Sequence, residues 1–439
     1  MAGSGQKNRR NVGAPIIWAL AAALAWLAPA LDQAAFAQNR PNAGNAVDSK
    51  SSQRAEISAR AARIESLPQG ARLVFDLTGP APATAHPVAN PPRIIVDLPE
   101  TAFRMDARAG QNTKDKLIKS FRYGLFAPGR SRVVIDLAGP ARIVKAESQP
   151  AENGARLVVE LAPTDAAGFA AAAAEYARAV AAEPQKPAAA APPEPTDKPV
   201  VVIDPGHGGV DMGATSRTGV LEKNVVFDFA RTLQEKIEAG GRMRVVLTRT
   251  QDVFLPLNER VRIARANNAS LFLSVHADTL AEPHVEGATV YTVSAKASDA
   301  EAAHIAEKEN LADQAAGLES KAEAEEVGDI LFELTRRETS AYSRQFSQSL
   351  IAFWKEAGSL NKNPRRAAGF VVLKAFDVPS VLLELGYLSS ERDLSRLTSP
   401  EWRDHAAQKT AEAIDAFFNA RGREARVPPA APISAARPQ

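Results

Sequence analysis

Residues 164–198 (TDAAGFAAAAAEYARAVAAEPQKPAAAAPPEPTDK) split the chain into two stretches with different apolar spacing. The first part of this segment has the composition of an Ala-rich helix. The second is a Pro/Ala linker, extended and semi-rigid. Upstream, between residues 53 and 163, the apolar runs are short, rich in β-branched residues and closed by Gly or Pro turn signals such as TGPAP and AGPAR. Downstream, between 199 and 421, strand runs alternate with helical periodicity. Such a chain folds as separate units, which suits its 439 residues.

The strand runs of the second stretch are Val200–Asp204, Arg244–Arg249, Leu271–Val275, Ala288–Val293, Phe370–Leu373 and Val381–Leu385. Helical spacing fits Lys223–Ala239, Leu257–Asn267, a long polar segment Ala297–Glu356, and Pro400–Ala420. This alternation predicts an α/β domain, a twisted and mostly parallel sheet with helices on both faces, preceded by a small all-β sandwich. The last stretch, 422–439, is a Pro/Ala/Arg tail without core potential.

The chain has no cysteine, which excludes disulfides, iron–sulfur clusters, thiolate metal sites and cysteine nucleophiles. Any metal must be held by nitrogen and oxygen. The net charge is +2 from 53 basic and 51 acidic residues, a balance that gives no argument for nucleic acid as partner.

Residues 1–37 read as an export signal: Lys7, Arg9 and Arg10, an uncharged apolar run from Ile16 to Leu31, then Ala35-Phe36-Ala37 as the cleavage site. The rival reading is an uncleaved anchor, but a run that ends at Leu31 is short for a membrane span. Export follows the Sec route or, given Arg9-Arg10, the twin-arginine route. Cleavage removes three basic groups and one acid and leaves the two signs equal in number. With no later apolar run of ~18 residues, the mature protein is expected in the periplasm without stable membrane insertion.

The first stretch contains an internal repeat: RLVFDL at 72–77, RIIVDL at 93–98, RVVIDL at 132–137 and RLVVEL at 156–161. The first copy precedes the third by nearly the same interval as the second precedes the fourth. Two homologous halves of a β-sandwich account for this spacing. The Arg and acid of each copy read as solvated strand-end charges. The pattern resembles the AMIN domain found in front of bacterial cell-wall amidases, and the resemblance implies peptidoglycan binding and targeting.

In the second stretch the chemistry-bearing residues cluster at strand ends. DPGHGG (204–209) ends one strand with His207, SVHAD (274–278) ends another with His276, and LLELGYLSS (382–390) carries Glu384. Glu222 opens the helix LEKNVVFDFA. Singly, each has a bland reading: His276 as a hydrogen-bonded structural histidine, Glu222 as a helix-start charge, the Gly-rich turn as a phosphate loop lacking its Lys. Together, two imidazoles and two carboxylates at one sheet edge are what a nitrogen/oxygen zinc site requires, with three protein ligands and an open position for water.

The four motifs in order resemble the zinc-dependent N-acetylmuramoyl-L-alanine amidases (the amidase-3 catalytic domain) over essentially all of 199–421. The resemblance implies that His207, Glu222 and His276 bind Zn2+ and that Glu384 is the catalytic carboxylate. Tyr387 stands where that family often has Phe, and Ser390 where it has Asn. Asp204 and Asp278 are candidate partners of the ligand histidines, or ordinary strand-end charges.

The chain between His276 and Glu384 is too long for a simple crossover, and residues 295–345 within it are polar, helical in propensity and acidic in the middle. One reading is a solvated surface helix. The other comes from resemblance: division amidases of Gram-negative bacteria carry an insert whose helix covers the active site, with a Glu filling the open zinc position until EnvC- or NlpD-like LytM-domain activators move it. Glu309 is the first candidate for that Glu and Glu307 the second, with His304 read as an exposed helix histidine. The expectation is a periplasmic amidase acting on peptidoglycan in daughter-cell separation. The competitors are a zinc peptidase cutting within the stem peptide and a non-catalytic peptidoglycan-binding scaffold.

Overall fold

The computed structural model describes residues 56–111, 113–182, 197–318 and 330–424. The signal at 1–37, residues 183–196 of the linker, the middle of the insert and nearly all of the tail at 422–439 lie outside the described residues.

The first half is built from β1 (Ile57–Leu67), β2 (Gly70–Leu77), β3 (Thr84–Val88), β4 (Arg93–Pro99), β5 (Thr101–Phe103), β6 (Ile118–Ala127), β7 (Arg130–Leu137), β8 (Ala141–Ala151) and β9 (Gly154–Pro163). One sheet is ordered β5-β1-β2-β9-β8 and the other β3-β4-β7-β6. Alternation along each strand sends Leu73, Phe75, Ile94, Val96, Val133 and Ile135 into a shared core. A fully buried side chain of this kind stabilises by roughly 1.5–3 kcal/mol.

The four repeat copies are β2, β4, β7 and β9, two to a sheet. β2 pairs antiparallel with β9, and β4 with β7. In each copy the Arg and the acid stand four positions apart, hence on one face of the strand. Antiparallel pairing sets each Arg opposite its partner's acid: Arg72 opposite Glu160, Asp76 opposite Arg156, Arg93 opposite Asp136 and Asp97 opposite Arg132.

The Ala-rich part of the linker segment forms α1 (Ala166–Ala182). It is docked rather than free. Phe169 joins the sandwich core, and Tyr176 stacks on His86 of β3 with ring centroids 3.7 Å apart.

The second half runs β10 (Val200–Pro205), α2 (Glu222–Ala239), β11 (Arg244–Leu247), α3 (Leu257–Ala266), β12 (Leu271–His276), β13 (Ala288–Val293), α4 (Ala300–Asn310), α5 (Ala312–Ala315), α6 (Ile330–Ala357), β14 (Leu360–Ala368), β15 (Ser380–Glu384), α7 (Glu391–Leu397) and α8 (Pro400–Glu424). The sheet order is β11-β10-β12-β15-β13-β14. All neighbours are parallel except β13 and β15. Both faces are covered, so the central strands are apolar throughout. Val201, Ile203 and Leu273 pack with Phe229, Phe346 and Trp354 on one face. Val202, Phe272 and Leu382 pack with Val261, Ile305 and Phe370 on the other.

The strand expected at Phe370–Leu373 needs correction. Val371–Leu373 is a 3-10 turn, and the apolar side chains of this segment fill the second face of the sheet. The strand lies just before it, as β14, whose sequence LNKNPRRAA lacks apolar alternation. β14 is an edge strand, paired on one side with β13, and an edge strand tolerates a proline and charged residues.

Candidate functional site

β10, β12 and β15 are parallel neighbours, so their carboxyl ends meet at one edge of the sheet, the usual place for a ligand site in such folds. His276 closes β12 directly beside Glu384, which closes β15. His207 lies in the loop following β10. It adopts a left-handed backbone (φ 58°), with Gly208 and Gly209 also at positive φ. Reciprocal backbone hydrogen bonds between Gly208 and Asp211 (2.9 and 3.1 Å) fold this loop back on itself. Asp211 Oδ2 thereby comes 2.9 Å from His207 Nδ1. Gly206 leaves room for the His276 ring: a Cβ there would lie 2.4 Å from its Cε1.

Glu222 starts α2 and is fully buried. Its carboxylate accepts from the backbone N–H of Ala214 (2.8 Å) and of Ala277 (2.9 Å). Glu222 Oε1 stands 3.1 Å from His207 Nε2 and 3.2 Å from His276 Nδ1. From the insert, Glu309 Oε2 stands 3.4 Å from His207 Nε2 and 3.1 Å from His276 Nδ1. One ligand atom each from His207, His276 and Glu309 lie within 4.8 Å of one another. Glu307 and His304, on the same helix, are exposed.

The electrostatics are those of a cation site. Burial pulls the His207 pKa down, but Asp211, Glu222 and Glu309 outweigh it and hold it well above the ordinary value. Burial likewise opposes protonation of His276, yet Glu309 and Glu222 push it up to about 10. Burial raises the Glu222 carboxyl, and the two imidazoles overcome this and hold it well below the usual range. A buried cluster that favours positive charge so strongly is one that a divalent cation would neutralise. His207 Nε2 is buried and faces the Glu222 and Glu309 carboxylates without a well-directed hydrogen bond among the described residues, while Nδ1 is held by a carboxylate. That is the usual arrangement of a metal-ligating histidine. These residues therefore fit a metal ion held by nitrogen and oxygen.

Glu384 is fully buried. Its Oε2 accepts from the Asp278 N–H (3.1 Å), and its Oε1 has no hydrogen-bond partner among the described residues. Burial raises its pKa, His276 opposes, and Asp278, Glu222 and Glu309 add to the rise, leaving it well above the ordinary value. Neither aspartate considered from the sequence hydrogen-bonds a ligand histidine ring. Asp204 is held by Arg260 (2.8 Å), Thr248 (2.6 Å) and Ser274 (2.8 Å). Asp278 pairs with Lys308 of the insert. Burial pushes the Asp278 carboxyl up to about 6, against the pull of Lys308.

Three supporting residues lie outside the sequence motifs. Asp211 holds the His207 ring. Arg260 donates to the carbonyls of Pro205 (3.0 Å) and His207 (2.8 Å). Arg249 donates to those of Pro205, Gly206 and Lys223. Arg260 does leave a signal in the sequence, since it falls in helical register with Ala264 on the buried face of α3.

A family profile described as N-acetylmuramoyl-L-alanine amidase matches residues 201–416, and the AMIN domain profile matches 61–165. The chain is 32% identical over 345 residues to N-acetylmuramoyl-L-alanine amidase AmiC of Escherichia coli O6:H1, covering 75% of this chain and 82% of that one. It is 32% identical over 376 residues to AmiC of Neisseria meningitidis serogroup B, covering 82% and 89%. To AmiA of Escherichia coli K12 it is 36% identical over 223 residues, covering 51% and 77%. Cluster, fold and sequence agree: the chain belongs to the N-acetylmuramoyl-L-alanine amidase family and carries an N-terminal AMIN domain.

Proposed function

We propose that this protein is a periplasmic zinc amidase that hydrolyses the bond between N-acetylmuramic acid and L-alanine in peptidoglycan. In this reading it splits septal wall for daughter-cell separation and stays shut until an activator binds. The observation that carries the reading is the convergence of His207, Glu222 and His276 beside Glu384 at one sheet edge, with Glu309 of the insert among them.

His207 Nε2, His276 Nδ1 and the Glu222 carboxylate are the ligand set in this proposal. Zinc bound there would supply an activated water and polarise the scissile carbonyl. Asp211 keeps the His207 ring oriented with Nε2 free to ligate. Glu384 is the proton carrier: its free Oε1 takes the proton of the attacking water and passes it to the leaving amine of L-alanine.

Glu309 occupies a place among the ligands that the reaction needs open. A partner that binds the displaced insert, such as an EnvC- or NlpD-like LytM-domain protein, would shift the population towards the open enzyme.

The test is digestion of purified sacculi with mass analysis of the products. Intact stem peptides with a free L-alanine amine, and muramic acid stripped of peptide, are expected. Cleavage within the stem peptide would overturn the substrate assignment. Metal content after purification, read by elemental analysis and abolished by His207→Ala, tests the ligand set.

A further inference from the structure

The same repeat motif has two fates in this protein. In the β5-β1-β2-β9-β8 sheet, the Arg72 and Arg156 side chains are 35% and 55% exposed. In the β3-β4-β7-β6 sheet, Arg93 and Arg132 are 4% and 5% exposed. The expectation of solvated strand-end charges therefore fails for this second pair. What covers them is the insert.

Arg93, Arg122 and Arg132 stand on the outward face of β4, β6 and β7. Arg93 Nη1 donates to the carbonyl of Gln314. Arg122 Nε donates to that of Ala315 (2.5 Å), and Arg132 Nη1 to that of Ala316 (3.1 Å). These successive carbonyls close α5, and that of Gln314 also accepts from Gly317 N (2.9 Å). Each Arg is held from behind by an acid of the repeat. Arg132 forms a two-point pair with Asp97 (2.7 and 2.9 Å). Arg122 pairs with Asp136 (2.6 Å), and Arg93 lies 3.5 Å from Asp136.

Apolar groups seal the contact. Ile95, Val134, Ala316, Val210 and Phe254 form one buried cluster, with Phe126 and Leu318 packed against it. A Cβ on Gly317 (φ 77°) would lie 2.2 Å from Ile95 Cδ1. The sandwich also touches the loop that carries His207, where Gly124 and Gly209 pack backbone to backbone, and Leu125 O accepts from Phe254 N (3.1 Å) in the loop between β11 and α3. One surface thus holds both the loop that carries His207 and the end of the segment that carries Glu309.

We propose that this face of the β-sandwich is an intramolecular clamp on the insert, and that the AMIN domain thereby keeps Glu309 seated and the enzyme shut. The proposal rests on the inhibitory reading of Glu309. Only the end of α4 and α5 itself separate Glu309 from Ala315, about 9 Å along a helical path. Motion at the clamped carbonyls is therefore passed to the ligand cluster with little slack. The clamp and the seated Glu309 stabilise each other, so parting the sandwich from the insert opens the site.

The test uses the full mature chain and two substitutions on opposite sides of the contact. Arg122→Ala leaves Asp136 with Ser120 and Arg93 as partners. Gly317→Val touches no repeat ion pair; it forces Ile95 away and strains its own backbone at φ 77°. Hydrogen exchange of the amides at 300–318 is read beside sacculus digestion without any partner protein, with Glu309→Ala as reference. In each clamp variant, exchange is expected to quicken about tenfold, the scale of one charge-assisted hydrogen bond. Digestion is expected to rise towards that of Glu309→Ala. Unchanged exchange in both variants overturns the clamp. Quicker exchange with resting activity, while Glu309→Ala is active, overturns its control of the enzyme but spares the inhibitory role of Glu309. A Glu309→Ala protein no more active than wild type overturns the inhibitory reading itself, and the clamp's control with it.

Discussion

Glu309 Oε2, carried by the insert, faces His276 Nδ1 at the end of β12 across 3.1 Å. The Glu222 carboxylate lies 3.2 Å from the same nitrogen, and in the proposed mechanism Glu309 stands where a reacting group would come.

Replacing Glu309 with Ala removes that carboxylate and leaves Glu222 and both histidines in place. Partner-free release of soluble product from dye-labelled sacculi should rise about tenfold or more, the release of a state favoured by ~1.4 kcal/mol or more. Equal rates for variant and wild type would remove Glu309 from the shut state.

Glu384→Gln keeps the shape of the side chain and removes its proton-accepting oxygen. In a Glu309→Ala background, turnover should fall by about 10²–10⁴-fold, the usual worth of a positioned acid–base group. Burial disfavours the Glu384 carboxylate in the fold. The neutral amide should therefore leave the thermal midpoint unchanged or raise it. A drop in turnover that merely tracks a fall in midpoint would argue for a structural role instead.

Asp211→Asn leaves the loop able to close through its backbone pair with Gly208 but weakens the hold on His207 Nδ1. Metal affinity, measured by chelator competition, should fall about 10–100-fold, as when the partner of a ligating histidine is lost elsewhere. Asp204→Asn acts further away, through Arg260, and should cost less affinity. The reverse ranking would count against Asp211 as the positioning residue.

His86 offers a pH test of the sandwich. It is 6% exposed beneath Tyr176, and burial, aided by Arg132 and opposed by Asp97, brings its pKa down to about 4. In the unfolded chain the value is near 6.5. Above pH ~6.5 the side chain is neutral in both states and stability is full. As pH falls from there towards 4, the unfolded chain binds a proton that the fold refuses, and up to ~3 kcal/mol is lost. Denaturant unfolding at pH 7 and pH 4.5 should show this loss in wild type and a smaller one in His86→Phe, which keeps the ring stack. Equal pH dependence in the two proteins would remove His86 as its source.

The central strands of the sheet were legible because β10, β12 and β15 are buried on both faces and read as unbroken apolar runs. His207, His276 and Glu384 were legible because each interrupts such a run at its end. β14 was not, since an edge strand need not alternate. Asp211 was not, since its place beside His207 depends on a loop that closes through backbone hydrogen bonds, which leave no side-chain pattern.

The repeat draws the line between what sequence determines and what tertiary structure decides. An Arg and an acid four positions apart, in strands that pair antiparallel, already dictate the cross-strand pairs of both sheets, because strand periodicity is a local property. The same short pattern does not say that Arg72 and Arg156 meet water while Arg93 and Arg132 meet the carbonyls of Gln314 and Ala316. Burial depends on what lies across the face, and here that is a segment from the other half of the chain, brought there only when both halves fold.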